Sequence, residues 1–136
     1  LPLPKAREET IYTPHTGEFA RLFGKALEDL AERGRAVREA AASCGAVIIL
    51  KGETDVISDG CRVRFNRSGC QAMTVGGTGD VLSGVCGGLL CRMPAFDAAC
   101  AAVYAEGRAG EKAASVVGDG MMPSDLLKEI AGILWK

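Results

Sequence analysis

The sequence predicts a layered α/β domain, and three features carry that expectation. Ala46-Val47-Ile48-Ile49-Leu50 is an unbroken apolar, β-branched run, with Gly45 before it and Lys51-Gly52 after it. Such a run without alternation marks a central strand buried on both faces, the usual state of a parallel strand. Asp55-Val56-Ile57-Ser58 and Cys61-Arg62-Val63-Arg64-Phe65 flank Asp59-Gly60, a strong hairpin turn signal. Apolar residues at three- and four-residue steps recur along much of the remaining chain, the period of helices packed on a sheet.

The elements follow in order. Glu9 to Thr13 has β-branched and aromatic character and stops at Pro14, which suits a short strand ending in a loop. His15-Thr16-Gly17-Glu18 leads into Phe19, Leu22, Phe23, Ala26, Leu27 and Leu30, an amphipathic helical stripe with an interruption expected near Gly24. Gly34 is expected to punctuate the chain, and Arg35 to Cys44 reads as a second helix closed by Gly45. The second hairpin arm alternates, so an exposed edge is expected for it. Val81, Leu82, Val85, Leu89 and Leu90 form a buried helix behind a glycine-rich loop. Pro94 opens another, with Phe96, Ala99, Cys100, Val103 and Tyr104 as its buried stripe. It is expected to run to about Val117. Its alanines permit close helix approach. Asp119-Gly120 turns the chain, and Pro123 starts a last helix carrying Leu126, Leu127, Ile130, Ile133 and Leu134. There is no internal repeat and no low-complexity linker.

Bulk properties narrow the function classes. A chain of 136 residues suits one domain. Sixteen basic and 17 acidic residues leave a net charge of −1, with no basic patch and few aromatics, which argues against nucleic-acid binding. The longest uncharged run, Val81 to Cys91, is about eleven residues against the ~20 of a membrane span, so a soluble, cytoplasmic protein is expected. Six cysteines (Cys44, Cys61, Cys70, Cys86, Cys91, Cys100) form no CxxC pair and read as reduced, buried thiols. With one histidine and no regular Cys/His spacing, no metal site is expected. The chain begins Leu-Pro-Leu-Pro without an initiator Met or a signal-peptide pattern, and reads as a cut through a longer protein.

The stretch that draws the elements together runs from Asn66 to Gly84. Three of the four residues before Asp80 are glycine, namely Gly76, Gly77 and Gly79, and a helix follows at once. A loop of that kind presents backbone N–H groups to an anion at the positive end of the helix dipole. Asp80 beside it suits a base for phosphoryl transfer to a small-molecule hydroxyl, and equally suits a helix cap. The pattern is neither the Walker motif nor GxGxxG. Lys51 ends the buried strand, where ligands gather in open α/β sheets, yet it also reads as an ordinary solvated lysine. His15 lies beyond another strand end as a substrate contact or a structural residue, and Glu18 as a helix-start acid.

Taken together, Thr13-Pro14-His15-Thr16-Gly17-Glu18-Phe19-Ala20-Arg21-Leu22, Leu50-Lys51-Gly52 with Asp55-Val56-Ile57, Asn66 with Gly69, and Met73 to Gly84 resemble the ADP-dependent NAD(P)H-hydrate dehydratases of the ribokinase-like superfamily. Gly-Thr-Gly-Asp alone marks only the superfamily; the Thr-Pro-His-x-Gly-Glu loop and the Lys-Gly strand end make the match specific. The resemblance implies a ribokinase-like layered sheet with flanking helices. It also implies repair of hydrated NADH and NADPH with ADP (or ATP) as co-substrate and Mg2+ on the phosphates. By position, His15 and Asp80 would contact the hydrated nicotinamide nucleotide. Lys51, Gly52, Glu53, Thr54, Asp55 and Gly79 would hold the nucleotide, and Gly76, Gly77, Thr78 and Gly79 would form the anion hole. Asp80 would be catalytic. NAD(P)H-hydrate epimerase would be the functional partner.

The match spans residues 1–136 but only the C-terminal half of the family domain. A missing N-terminal half, supplied by another chain, or a homo-oligomer is therefore expected to complete the sheet. Two alternatives remain open at this level. One is a small-molecule kinase of the same superfamily acting on hydroxyethylthiazole or hydroxymethylpyrimidine; the other is a non-catalytic nucleotide-binding remnant.

Overall fold

In a computed structural model that describes residues 9–24 and 29–135, the buried run becomes a strand covered on both faces. The elements are β1 (Ile11–Tyr12), α1 (Thr16–Phe23), α2 (Leu30–Cys44), β2 (Val47–Leu50), β3 (Asp55–Ser58), β4 (Val63–Asn66), α3 (Thr78–Leu90), α4 (Ala95–Val117) and α5 (Pro123–Leu134). The strands form one sheet in the order β1-β2-β3-β4. β1 and β2 run parallel, with Ile11 opposite Val47 and Tyr12 opposite Ile48. β2 to β3 and β3 to β4 are antiparallel, with Ile49 opposite Ile57 and Val56 opposite Phe65. Beyond β1 the pairing continues as a parallel bridge between His15 and Lys51, where the Lys51 amide donates to the Pro14 carbonyl at 3.0 Å.

Alternation along β2 explains why its sequence does not alternate. Val47 and Ile49, with Ile57, pack against Leu82, Cys86 and Leu89 of α3 and Phe96, Ala99, Ala102 and Val103 of α4. Ile48 and Leu50, with Val56, pack against Phe19 of α1 and Val37, Ala40 and Ala41 of α2. Each of these larger side chains contributes roughly 1.5–3 kcal/mol by leaving water, so both faces demand apolar residues. A third cluster joins Met121, Leu126 and Ile130 to Val81, Ala109 and Ala113, and contains no strand residue. Thus α5 rides on α3 and α4, with Lys112 of α4 paired to Glu129 across the seam. This is the ribokinase-like α/β layering expected.

Several details differ from expectation. Gly34 does not break a helix: α2 runs through it, and a Cβ there would stand 3.0 Å from the Phe65 ring. The residue serves close approach of helix and sheet. α1 does stop at Phe23, with Gly24 at φ 96°, while the expected continuation through Ala26 and Leu27 lies outside the described residues, as does Leu1-Pro2-Leu3-Pro4. The hairpin turn is longer than Asp59-Gly60. Ser58 pairs with Val63, and the Asp59 carboxylate organises the loop by accepting from the Cys61 and Arg62 amides at 2.9 and 2.7 Å. Cys61 and Arg62 therefore leave the strand, and β4 is the half-exposed edge. Tyr104, 55% exposed, and Leu22 and Leu127 also point outward, because the small residues on the opposite side of α4 and the adjacent positions of α1 and α5 make the contacts. Of the six cysteines, all unpaired, Cys86 alone is buried; Cys61 and Cys91 are exposed at the hairpin loop and the end of α3. No helix among the described residues is long and apolar enough to cross a membrane.

Two glycines inside α4 set how closely the chain approaches it. A Cβ on Gly107 would collide with Ser68 Oγ and come within 2.6 Å of the Ser68 carbonyl carbon and oxygen, which cannot move without the loop. A Cβ on Gly110 would meet the flexible Met73 side chain instead. Gly107→Ala is expected to cost about 1–3 kcal/mol through forced displacement. Gly110→Ala should fall within about 1 kcal/mol of the parent, since helix propensity offsets the contact. Urea unfolding of the two variants checks the order; equal midpoints would contradict it.

Candidate functional site

The loop after β4 ends in an unusual helix start. Thr78 Oγ donates to the Met73 and Val75 carbonyls at 3.3 and 3.2 Å, which draws the chain tight over the short 3-10 turn Gln71–Met73. Gly77 then turns with φ 104°, and Pro123 Cγ occupies the space 2.9 Å from where a Cβ would sit. α3 begins at Thr78 without a side-chain cap. The Asp80 and Val81 amides reach back to the Gly77 carbonyl, both at 3.2 Å. The amides of Gly76, Gly77, Thr78 and Gly79 have no acceptor among the described residues. Four consecutive donors thus lie at the positive end of a 13-residue helix, the kind of backbone that favours an anion. Asp80 is exposed in the first turn and caps nothing, so capping does not account for it.

Lys51 reaches this point from the end of β2. Its ammonium stands 3.1 Å from where a Gly79 Cβ would lie, space that only glycine leaves to it. On one side of Lys51 and Gly79 is a hollow of about 680 Å³, bounded by the Lys51–Asp55 turn, the 67–74 loop and α4. Gly52, Glu53, Asp55 and Thr78 line it, with Leu82 and Val103 as apolar wall. On the other side a hollow of about 530 Å³ opens between the exit of β1, α1 and α3. Thr13, Pro14, Glu18, Arg21, Asp80 and Ser83 line that one. Lys51 and Gly79 belong to both.

The expected site residues are thus divided. Gly52, Glu53 and Asp55 share the first hollow; Asp80 lies in the second; Thr54, Gly76 and Gly77 border neither. Asp55 has a structural task. Its carboxylate accepts from the Gly52 amide at 3.1 Å and the Asn66 side-chain amide at 3.0 Å, closing the turn. Burial pushes this carboxyl up, against the pull of those two hydrogen bonds. Gly52 leaves room for Arg33, whose Nη2 would lie 2.8 Å from a Cβ there and is itself buried without a hydrogen-bond partner among the described residues.

His15 is held as a helix cap. Its Nδ1 accepts from the Gly17 and Glu18 amides at 3.0 and 3.3 Å, so the ring hydrogen sits on Nε2. Glu18 accepts in return from the His15 amide at 2.8 Å, which holds its carboxyl below the usual range. The imidazole itself does not line the second hollow, though Pro14 and Glu18 beside it do.

Two residues escaped the motif-based reading. Asn66 entered only as part of a resemblance, yet its side chain is a junction: Nδ2 donates to Asp55 and to the Val103 carbonyl (3.3 Å), and Oδ1 accepts from Ser68 Oγ (2.8 Å). Glu106 was passed over. It is 8% exposed, lines the first hollow, and leaves Oε1 buried without a partner among the described residues. Burial, then the charge of Asp55, pushes its carboxyl up to about 7, with Lys51 opposing. The signal was available, since Glu106 falls three residues after Val103 on the helix's buried stripe, where an acid is out of place.

Comparison with known proteins adds the following. A family model described as NAD(P)H-hydrate dehydratase matches residues 2–132. A bifunctional NAD(P)H-hydrate repair enzyme Nnr from Methanospirillum hungatei is 48% identical over 99% of this chain and 28% of its own length. The ADP/ATP-dependent NAD(P)H-hydrate dehydratase from Bacillus subtilis, co-crystallised with ATP/Mg2+, superposes with a TM-score of 0.85 at 32% identity, over 98% of this chain and 50% of that one. A ribokinase-like superfamily protein from Enterococcus faecalis superposes at 0.77 with 27% identity, over 92% of this chain and 43% of its own. This chain therefore spans half or less of each of these proteins.

The Glu106 carboxyl makes stability depend on pH in a direction that can be worked out. Its folded-state pKa of about 7 exceeds the ordinary 4.5, so carrying charge costs the folded state. The contribution is fully present below the ordinary value and is lost as pH rises through 7, a change of about 3 kcal/mol at most. Glu106→Gln should therefore flatten the fall in urea midpoint between about pH 5 and about pH 8. An unchanged slope would remove Glu106 as its source.

Proposed function

Because the chain belongs to the NAD(P)H-hydrate dehydratase family, we propose that it works in the repair of hydrated NADH and NADPH, restoring the dihydronicotinamide with ADP (or ATP) as co-substrate. With ADP the other products are AMP and phosphate. The observation that carries this reading is the meeting of the Lys51 ammonium with Gly79, at the start of α3, on the wall shared by two hollows, one of which holds an exposed Asp80.

The nucleotide would occupy the hollow beside the Lys51–Asp55 turn, its terminal phosphate against the amides of Gly76 to Gly79. The hydrated nicotinamide would lie on the Asp80 side, near His15. Asp80 then takes the proton of the ring hydroxyl as that oxygen attacks the phosphoryl group. Charge gathering on the phosphoryl oxygens is met by amides and an ammonium already aimed there, which need no reorganisation during reaction. The P–O bond to AMP breaks as the new P–O bond forms. The ring-nitrogen lone pair next expels phosphate to leave an iminium ion, and loss of a proton from the ring carbon next to the one that held the hydroxyl restores the conjugated dihydronicotinamide.

Among the described residues no group of three or more metal-ligating side chains occurs. Glu53, exposed in the nucleotide hollow, fits a magnesium ion that keeps several waters and travels on the nucleotide phosphates. Bound in that way it would neutralise phosphate charge.

The activity is proposed for the whole protein, in which a matching N-terminal half or a second copy completes the domain, and an NAD(P)H-hydrate epimerase acts as functional partner. The test mixes the chain with a matching N-terminal half, hydrated NADH and ADP, and follows near-ultraviolet absorbance. Recovery is expected, and Asp80→Asn should slow it by roughly 10²–10⁴-fold while nucleotide affinity stays. Absent recovery, with phosphorylation of a thiazole or pyrimidine alcohol instead, would overturn the reading in favour of a kinase.

A further inference from the structure

We propose that the Glu106 carboxyl receives the ribose hydroxyls of the bound nucleotide and is the group by which this site selects a ribonucleotide. The inference rests on placing the nucleotide in the hollow beside the Lys51–Asp55 turn.

Glu106 projects from α4 into that hollow, and its Oε1 is buried without a partner among the described residues. Leaving a buried acceptor unmet costs about 1–3 kcal/mol, a cost a ligand carrying donors can relieve. The other acid deep in the hollow has no such vacancy, since Asp55 already accepts from the Gly52 amide and from Asn66. Glu53 is exposed at the rim.

The parts of a nucleotide differ in what they offer a carboxyl. Phosphate oxygens are acceptors and repel it. Vicinal ribose hydroxyls are two donors at a spacing that suits a carboxylate, a pairing used in dinucleotide sites. Position favours the sugar over the far end of the base. Lys51 sits against Gly79 at the start of α3, and both line the same hollow as Glu106. The sugar is the unit joined directly to the phosphates. Leu82 and Val103 give the hollow an apolar wall, beside which a hydrogen bond is stronger than in open water. Burial and Asp55 hold the free carboxyl at about 7, a desolvation cost that hydroxyl donors offset.

Calorimetric titration of the protein with ADP, 2′-deoxy-ADP and 3′-deoxy-ADP tests this. The parent should bind ADP about tenfold more tightly than either deoxy analogue. Glu106→Gln should reduce that preference to about threefold, and Glu106→Leu should abolish it, with all three nucleotides binding no more tightly than the deoxy analogues bind the parent. Equal binding of all three by the parent overturns the proposal without any variant, as does full discrimination by Glu106→Leu. No ADP binding at all by the parent would instead bring down the nucleotide reading on which the proposal stands, and the proposal with it.

Discussion

One buried side chain, Asn66, holds together the parts from which the site is made. It ends the edge strand β4, yet its amide bonds the turn after β2 through Asp55, the α4 backbone through Val103, and the following loop through Ser68. The same loop is fastened further along, where the Gly69 amide donates to Glu111 of α4 at 2.9 Å. These contacts join segments up to 42 residues apart in the chain, and they are partly or fully buried. There the amide also compensates the buried Asp55 charge, which would be costly without it. Both walls of the hollow beside the hairpin depend on that junction.

With those walls fixed, the chemistry gathers at one partition. Lys51 arrives from a strand buried on both faces, and its ammonium lies over a glycine in the first turn of α3. A cation thus lies against the amide-rich start of a helix. The partition separates the proposed nucleotide from the proposed acceptor while giving both access to the same charges. Phosphoryl transfer asks for little more than such placement. His15 contributes indirectly, by pinning the first turn of α1 and so the wall that carries Glu18 and Arg21.

What could be read from the chain depended on whether a residue acted locally. The β2 run announces a doubly covered strand because both faces require apolar side chains. The glycines before Asp80 announce a tight turn into a helix, and Gly77 makes it with φ 104° and Pro123 in the place of a side chain. Gly34 misled because a glycine placed for packing looks like one placed to end a helix. The two-residue turn at Asp59-Gly60 misled because Asp59 could organise a wider loop with its own carboxylate. Asn66 was harder to see, since its role comes from partners that lie distant in sequence, whereas Glu106 shows only as an acid on a buried stripe. His15 was seen, but its use as a cap was not, because histidine is not among the usual capping residues.

The seam between α3 and α5 carries a further consequence. Pro123, the first residue of α5, rests where Gly77 lacks a side chain, directly under the anion loop. The other end of α5 meets Trp135, the sole tryptophan of the chain, whose ring lies 5.1 Å from the Arg92 guanidinium at the far end of α3. One helix thus links the loop to an indole beside a cation, an environment to which emission wavelength is sensitive. The molecule carries its own optical gauge of how these two helices are seated.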